Sequence, residues 1–241
     1  MDISARVAQV RGRIQAAAER SGRSPESVRL VVVSKYRTVE EIEEALRAGI
    51  TDIGENRIQE AEQKQSLLAG RNIAWHLVGH LQGNKAKRAV RSFDWIHSLD
   101  DAGLAGRLSR LAEEQDKTQR VLVQVDLAGE KTKAGISEAK LFETFEEIQD
   151  LPGLRIEGLM VLPPYCPDPE EVRPYFAKLR EIRDRLRQKG LGGPLPELSM
   201  GMSHDFEVAV EEGATMVRVG TALFGERPVS QPSLVKDSST T

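Results

Sequence analysis

Between residues 29 and 220 this chain alternates short apolar segments, rich in β-branched residues, with longer segments whose apolar residues recur at helical spacing. No other feature limits the fold so strongly. Strand segments fall at 29–34, 52–55, 73–79, 95–98, 120–127, 155–162, 197–200 and 216–220. Helical patterns fill 38–48, 57–68, 84–91, 101–114, 137–149, 170–189 and 204–212, and a last short helix follows Thr221. Strands separated by helices pair in parallel through crossover connections. Both an open doubly wound sheet and a closed (β/α)₈ barrel satisfy such a string.

Counting separates them. Eight strand segments in 241 residues match a barrel. No GxGxxG turn follows the first strand, which counts against a dinucleotide-binding sheet. Ahead of that strand, Ile3, Val7, Val10, Ile14, Ala17 and Ala18 form the apolar stripe of an amphipathic helix. The expectation is a single-domain α/β protein: a (β/α)₈ TIM barrel over residues 1–229 with an extra N-terminal helix. Residues 230–241, rich in Ser, Thr and Pro, read as a disordered tail. The segments 52–55 and 95–98 are short and only weakly apolar, so the count rests on them. Gly49 and Gly213 stand where helices stop, and Ser137 and Ser203 stand where helices start.

Composition narrows the function. A net charge of -3 lacks the basic field of a general nucleic-acid binder. No apolar run is long enough to span a bilayer, and the N-terminus lacks the core of a signal peptide. One cysteine, Cys166, excludes an internal disulfide and a cysteine-rich zinc site. The four histidines show no metal-ligand spacing on a helix. These features predict a cytoplasmic protein with no metal site.

Barrel chemistry gathers at the C-terminal ends of the strands. That rule brings Lys35, Asn56, His80, His97, Asp126, Ser199, Gly220 and Thr221 to one rim. Lys35 is an odd end for a buried strand, because its ammonium is costly to desolvate unpaired. A strand-end lysine most often snorkels to solvent; otherwise it holds a phosphate or attacks an aldehyde to form a Schiff base. Two segments, Ser199-Met200-Gly201-Met202-Ser203 and Gly220-Thr221-Ala222, each leave a strand and enter a helix. Together they describe an anion cradle of helix N-termini and glycine backbone, placed where barrels commonly bind phosphate. Arg218 shares a strand face with Gly220. It serves either an internal salt bridge, with Glu55 or Glu157 as partner, or a ligand heteroatom. His76 is either a hydrogen-bonded core residue or a platform over a flat ligand. Lysine, cradle and arginine on one rim fit a phosphorylated aldehyde such as pyridoxal 5'-phosphate. The lysine and the cradle alone fit a cofactor-free Schiff-base aldolase.

Seven stretches carry a family resemblance. They are Val32-Val33-Ser34-Lys35, Ile53-Gly54-Glu55-Asn56-Arg57-Ile58-Gln59-Glu60, Trp75 to Lys85, Gly129 to Gly135, Gly158-Leu159-Met160, Leu198 to Ser203, and Met216 to Gly225. On these residues the chain resembles the YggS/PROSC-type pyridoxal phosphate homeostasis family, which shares the barrel of the alanine racemase N-terminal domain. The resemblance covers nearly all of the chain to about Arg227. It implies that Lys35 forms the Schiff base, that Ser199, Met200, Gly220 and Thr221 surround the phosphate, and that Arg218 faces the pyridine nitrogen. It places Asn56 and His76 in the cofactor pocket and Lys133 in a loop as a second landing point. The implied role is buffering or delivery of the cofactor, with effects on amino-acid and keto-acid pools and transient contact with pyridoxal phosphate-dependent apoenzymes. Racemases of this fold add a β domain bearing a second base, and the chain ends soon after its eighth strand. A monomeric carrier is therefore expected over an amino-acid racemase.

Overall fold

The computed structural model describes residues 2–129 and 134–226. The expectations for Lys133 and for a tail at 230–241 lie outside the described residues.

Eight parallel strands close into a barrel. They are β1 (Arg29–Val33), β2 (Asp52–Glu55), β3 (Ala74–Leu77), β4 (Trp95–Leu99), β5 (Gln119–Asp126), β7 (Leu154–Met160), β8 (Glu197–Met202) and β9 (Met216–Val219). The order is β4-β3-β2-β1-β9-β8-β7-β5, and pairing of β4 with β5 completes the ring. A two-residue strand, β6 (Ile136–Ser137), adds beside β5. Around the barrel run α2 (Val39–Arg47), α3 (Ile58–Leu67), α4 (Ala86–Ser92), α5 (Ala102–Glu113), α6 (Glu138–Ile148), α7 (Arg173–Gln188), α8 (Phe206–Glu211) and α9 (Thr221–Phe224). The expected barrel and its eight strands are thus present.

The extra helix α1 (Ile3–Arg20) is capped by Asp2, whose carboxylate accepts the Ala5 N–H at 2.7 Å. Its predicted stripe is buried, and the helix packs on α2, α8 and α9. Gly49 and Gly213 stop their helices in the left-handed region, at φ +80° and +102°. Ser203 does not cap a helix as expected. Asp205 instead holds the turn before α8, accepting the Met202 N–H at 2.6 Å, while the Ser203 hydroxyl turns toward α9.

Strand alternation sorts the side chains into two layers. Outward residues such as Val32, Ile53, Leu77, Ile96, Val121 and Val217 join one large core beneath the helices. Inward residues form a smaller cluster of Val31, Val78, Trp95, Leu122, Met160 and Met216. The weak apolarity of β2 and β4 now has a cause. Their outward faces carry Ile53 and Ile96, while their inward positions carry Asp52 and His97 in a partly polar interior. At the N-terminal end of the strands, Arg29 lies 3.7 Å from both Asp52 and Glu197 and 5.2 Å from the Trp95 ring centre. That packing fills one end of the barrel and leaves the other as the mouth.

Candidate functional site

The backbone on both sides of Lys35 is clamped. Beyond Val33, the Ser34 N–H donates to Gly54 O at 2.9 Å, and the Arg37 N–H donates back to Ser34 O at 2.9 Å. From α3, the buried ammonium of Lys64 donates to Ser34 O at 2.6 Å, to Glu55 Oε1 at 2.6 Å and to Glu60 Oε1 at 2.7 Å. Glu60 Oε1 in turn accepts the Tyr36 N–H at 2.6 Å, and Tyr36 holds a left-handed φ of +62°. The Ser34 hydroxyl donates to Glu55 Oε1 at 2.5 Å. Glu55 is fully buried, and its Oε2 finds no hydrogen-bond partner among the described residues. Burial pushes the Glu55 carboxyl above the usual range, against the pull of Lys64. Lys35 itself is half-buried, in the turn that follows β1.

Arg218, on β9, is 4 % exposed. Its Nη1 donates to Ser199 Oγ at 2.6 Å and its Nη2 to Val161 O at 2.9 Å. Neither of the salt-bridge partners weighed from the sequence is used: Glu55 pairs with Lys64, and Glu157 with Arg155 at 2.8 Å. Among the described residues no carboxylate lies within ion-pair distance of Arg218. Burial pushes its pKa down to about 10, so the guanidinium stays charged at neutral pH. A buried charge without a direct counter-ion is costly. It marks a place where an electron-rich ligand atom would be stabilised.

Next to it lies the start of α9. The Gly220 and Ala222 N–H groups both donate to Ser203 Oγ, at 3.1 and 3.2 Å. Two amides converging on one oxygen at a helix start form the kind of pocket that holds an anion oxygen. The loop that presents Ser203 depends on Gly201, at φ +91°. A Cβ there would lie 2.6 Å from the Ala209 Cβ and 2.9 Å from the Phe206 Cα.

A cavity of about 240 Å³ opens at the mouth, lined by Asn56, Val78, Gly79, Gln124, Asp126 and Leu162 among others. Asn56 is held against Gly79, where a Cβ would stand 2.4 Å from the Asn56 carbonyl oxygen. A larger groove of about 740 Å³ shares Asn56 and runs outward past Tyr36, Gln59 and His80. The linings of both omit Lys35, Arg218 and the α9 amides, so volume alone does not locate the chemistry.

Of the eight residues singled out from the sequence, Lys35, Asn56, Arg218, Gly220 and Thr221 stand at the mouth end of the strands. Ser199 points inward, but its hydroxyl lies between Arg218 and His97 Nδ1, at 2.6 and 2.9 Å. Met200 sends its side chain into the outer core, leaving only its main chain on the rim. His76 is the hydrogen-bonded core histidine of the two readings. Its Nε2 lies 3.1 Å from Asp52, its Nδ1 lies 2.9 Å from His97 Nε2, and its ring stacks on Trp95. Sequence reasoning set Ser203 in the cradle segment and His97 on the rim without giving either a role, and it missed Lys64 as part of the site. The i,i+4 spacing of Lys64 from Glu60 reads as an ordinary surface pair.

Comparison with known proteins is consistent over nearly the whole chain. The alanine racemase N-terminal domain family matches residues 6–228. A pyridoxal phosphate homeostasis protein of Aquifex aeolicus is 47% identical over 227 residues, covering 94% of this chain and 99% of that protein. The solved structure of PipY from Synechococcus elongatus, with pyridoxal phosphate bound, is 41% identical with a TM-score of 0.84, covering 93% of this chain and all of that one. An alanine racemase of Clostridium difficile shares the fold at a TM-score of 0.70 and 15% identity, and the match covers 56% of the racemase chain.

Proposed function

Since this chain belongs to the alanine racemase N-terminal domain family, we propose that it binds pyridoxal 5'-phosphate reversibly and covalently, as an intracellular cofactor-homeostasis protein rather than an enzyme. One observation carries the reading. A guanidinium that pairs with no carboxylate among the described residues lies buried on the same rim as a strand-end lysine and a pair of convergent amides. The donor set fits the cofactor group by group. The Ser203 hydroxyl, fixed by the Gly220 and Ala222 amides, and the Thr221 hydroxyl beside it suit a phosphate oxygen. Ser199 acts through Arg218, and Met200 contributes main chain only.

When bound, pyridoxal phosphate supplies an aldehyde that condenses reversibly with a primary amine. Lys35 Nζ supplies the amine. The clamp of Lys64 and Glu60 keeps its backbone in place. Arg218 addresses the pyridine nitrogen as a permanent donor and cannot hand over its proton as a carboxylic acid would. The ring then remains a weak electron sink, which suits storage better than turnover. Asn56 lines the ring side of the pocket. His76 belongs to the layer beneath.

Residues 1–229 form the binding domain in this reading, the protein works as a cytoplasmic monomer, and it meets apoenzymes only transiently. The described residues include no helix long and apolar enough to cross a membrane. The test is a titration of the purified protein with pyridoxal phosphate, followed by absorbance, alongside a racemisation panel of amino acids. A saturable covalent absorbance band with no racemisation supports the proposal. Racemisation on the order of 1 s⁻¹ would replace the carrier with a racemase. A retro-aldol activity without any bound cofactor would replace it with an aldolase.

A further inference from the structure

Beneath the mouth, five side chains from five strands form one hydrogen-bonded line. Asp52 stands at the start of β2, near the filled end of the barrel. His76 Nε2 lies 3.1 Å from its Oδ1, His76 Nδ1 lies 2.9 Å from His97 Nε2, and His97 Nδ1 lies 2.9 Å from Ser199 Oγ. Ser199 Oγ then accepts Arg218 Nη1 at 2.6 Å. His76, His97 and Ser199 are each 0 % exposed, so the middle of the line is shut off from bulk water, while Asp52 at its start is partly exposed. The strand register shows the line climbing the barrel. Gly54 pairs with His76, His76 pairs with Trp95, and His97 lies two residues further toward the mouth.

The protons in this line have one consistent order. Burial holds both imidazoles below their usual pKa, so each is neutral and carries one proton. Burial opposes ionisation of Asp52. The hydrogen bonds from His76 and Thr51 and the charge of Arg29 outweigh it and leave an ionised carboxylate. An acceptor at Asp52 requires a proton on His76 Nε2. His76 Nδ1 is then bare and must accept from His97 Nε2. His97 Nδ1 is bare in turn and accepts the Ser199 hydroxyl proton, which leaves the Ser199 oxygen to accept Arg218. Reversing any one link sets a bare ring nitrogen against a carboxylate or strands a buried hydroxyl proton, each at a cost comparable to a lost hydrogen bond.

We propose that Asp52, His76, His97 and Ser199 are positioning residues that fix Arg218 from the far end of the barrel and so set where its remaining donors point in the cofactor site. The proposal rests on the reading of that site as one for pyridoxal phosphate. It extends the site to the opposite end of the strands, where no group touches the ligand. The flat stack of His76 on Trp95, at an interplanar angle of 3°, holds the first ring, and the edge contact of His97 with Trp95 holds the second. Arg29 and Glu197 are the other charged groups at the Asp52 end. Asp94 adds its charge near His76, and Asp205 lies near Arg218 at the upper end.

Two measurements test it. Histidine nitrogen-proton correlation spectra of the ligand-free protein should show His76 and His97 neutral and protonated at Nε2. An Nδ1–H form of either would overturn the proposal, whatever the ligand. In binding titrations, Asp52→Ala and Ser199→Ala should each weaken pyridoxal phosphate about tenfold, the scale of one lost hydrogen bond. Pyridoxal should weaken equally, because Arg218 addresses the ring. The double variant should bind no worse than the weaker single one, since both changes cut the same line. Asp52→Asn, which keeps an acceptor oxygen, should recover most of the loss. Unchanged binding in Asp52→Ala, or losses that multiply, would refute the line and leave the cofactor reading standing. A wild-type protein that binds no pyridoxal phosphate would refute the cofactor reading, and the spectra would still decide the line.

Discussion

Replacing Lys64 by methionine removes the ammonium that ties α3 to the strand end carrying Lys35. Its three acceptors lie within 2.7 Å, and the pair with Glu55 is buried, with side-chain exposures of 7% and 0%. Without Lys64, Glu55 keeps only the Ser34 hydroxyl, and its Oε2 already lacks a partner among the described residues. Breaking a buried pair from one side costs about 3–5 kcal/mol. At this chain size that corresponds to a fall in Tm of roughly 6–20 °C. The pH dependence follows from the raised pKa of Glu55. Between its unfolded pKa, near the ordinary 4.5, and its higher folded pKa, the native state holds the extra proton, so stability falls as pH rises through that window. Removing Lys64 moves the upper edge of the window higher. The deficit of the variant should therefore be larger at pH 8 than at pH 5. Urea unfolding, followed by tryptophan fluorescence and circular dichroism together, measures both quantities. A second change, Glu55→Gln on top of Lys64→Met, should recover more than half of the loss because no charge is left buried. A loss below about 1 kcal/mol, the value of an exposed pair, with no pH dependence, would refute the assignment of Lys64 as a buried clamp.

Other consequences are equally direct. Ser203→Ala removes the hydroxyl between the Gly220 and Ala222 amides; it should weaken pyridoxal phosphate several-fold while leaving pyridoxal nearly unchanged in parallel titrations. Gly201→Ala meets both the φ of +91° and the backbone of Phe206 at 2.9 Å. It should cost about 2–4 kcal/mol in urea unfolding and lower phosphate affinity with it. Lys35→Ala should abolish the covalent absorbance band yet retain measurable noncovalent binding of pyridoxal phosphate, read by equilibrium dialysis, because the amides and Arg218 remain.

The architecture was legible because period-two and helical spacing survive in most segments, and glycine marks the helix ends at Gly49 and Gly213. Even β2 and β4 were found despite their polar inward faces, since Ile53 and Ile96 still fill the outer core. Lys35, Arg218 and the glycine turn at Gly220 were also legible, because each lies at a strand end that the barrel rule collects. What stayed hidden depends on pairing across the sheet. Ser203 resembles a helix cap until Gly201 turns it toward α9. His76 and His97 are 21 residues apart, and nothing local in either segment says that their rings meet. Ser199 resembles a phosphate donor until its hydroxyl is seen to be shared between His97 and Arg218. The Glu60–Lys64 pair has the spacing of solvated helix pairs, and only the contacts of Lys64 with Glu55 and the Ser34 carbonyl show that the lysine is buried.

Reversible covalent binding at Lys35 is tested most directly by borohydride reduction of the protein saturated with pyridoxal phosphate, followed by peptide mapping. A stable pyridoxyl group on Lys35, absent when the ligand is washed out before reduction, is the predicted result. Labelling spread over surface lysines with Lys35 unmodified would contradict it.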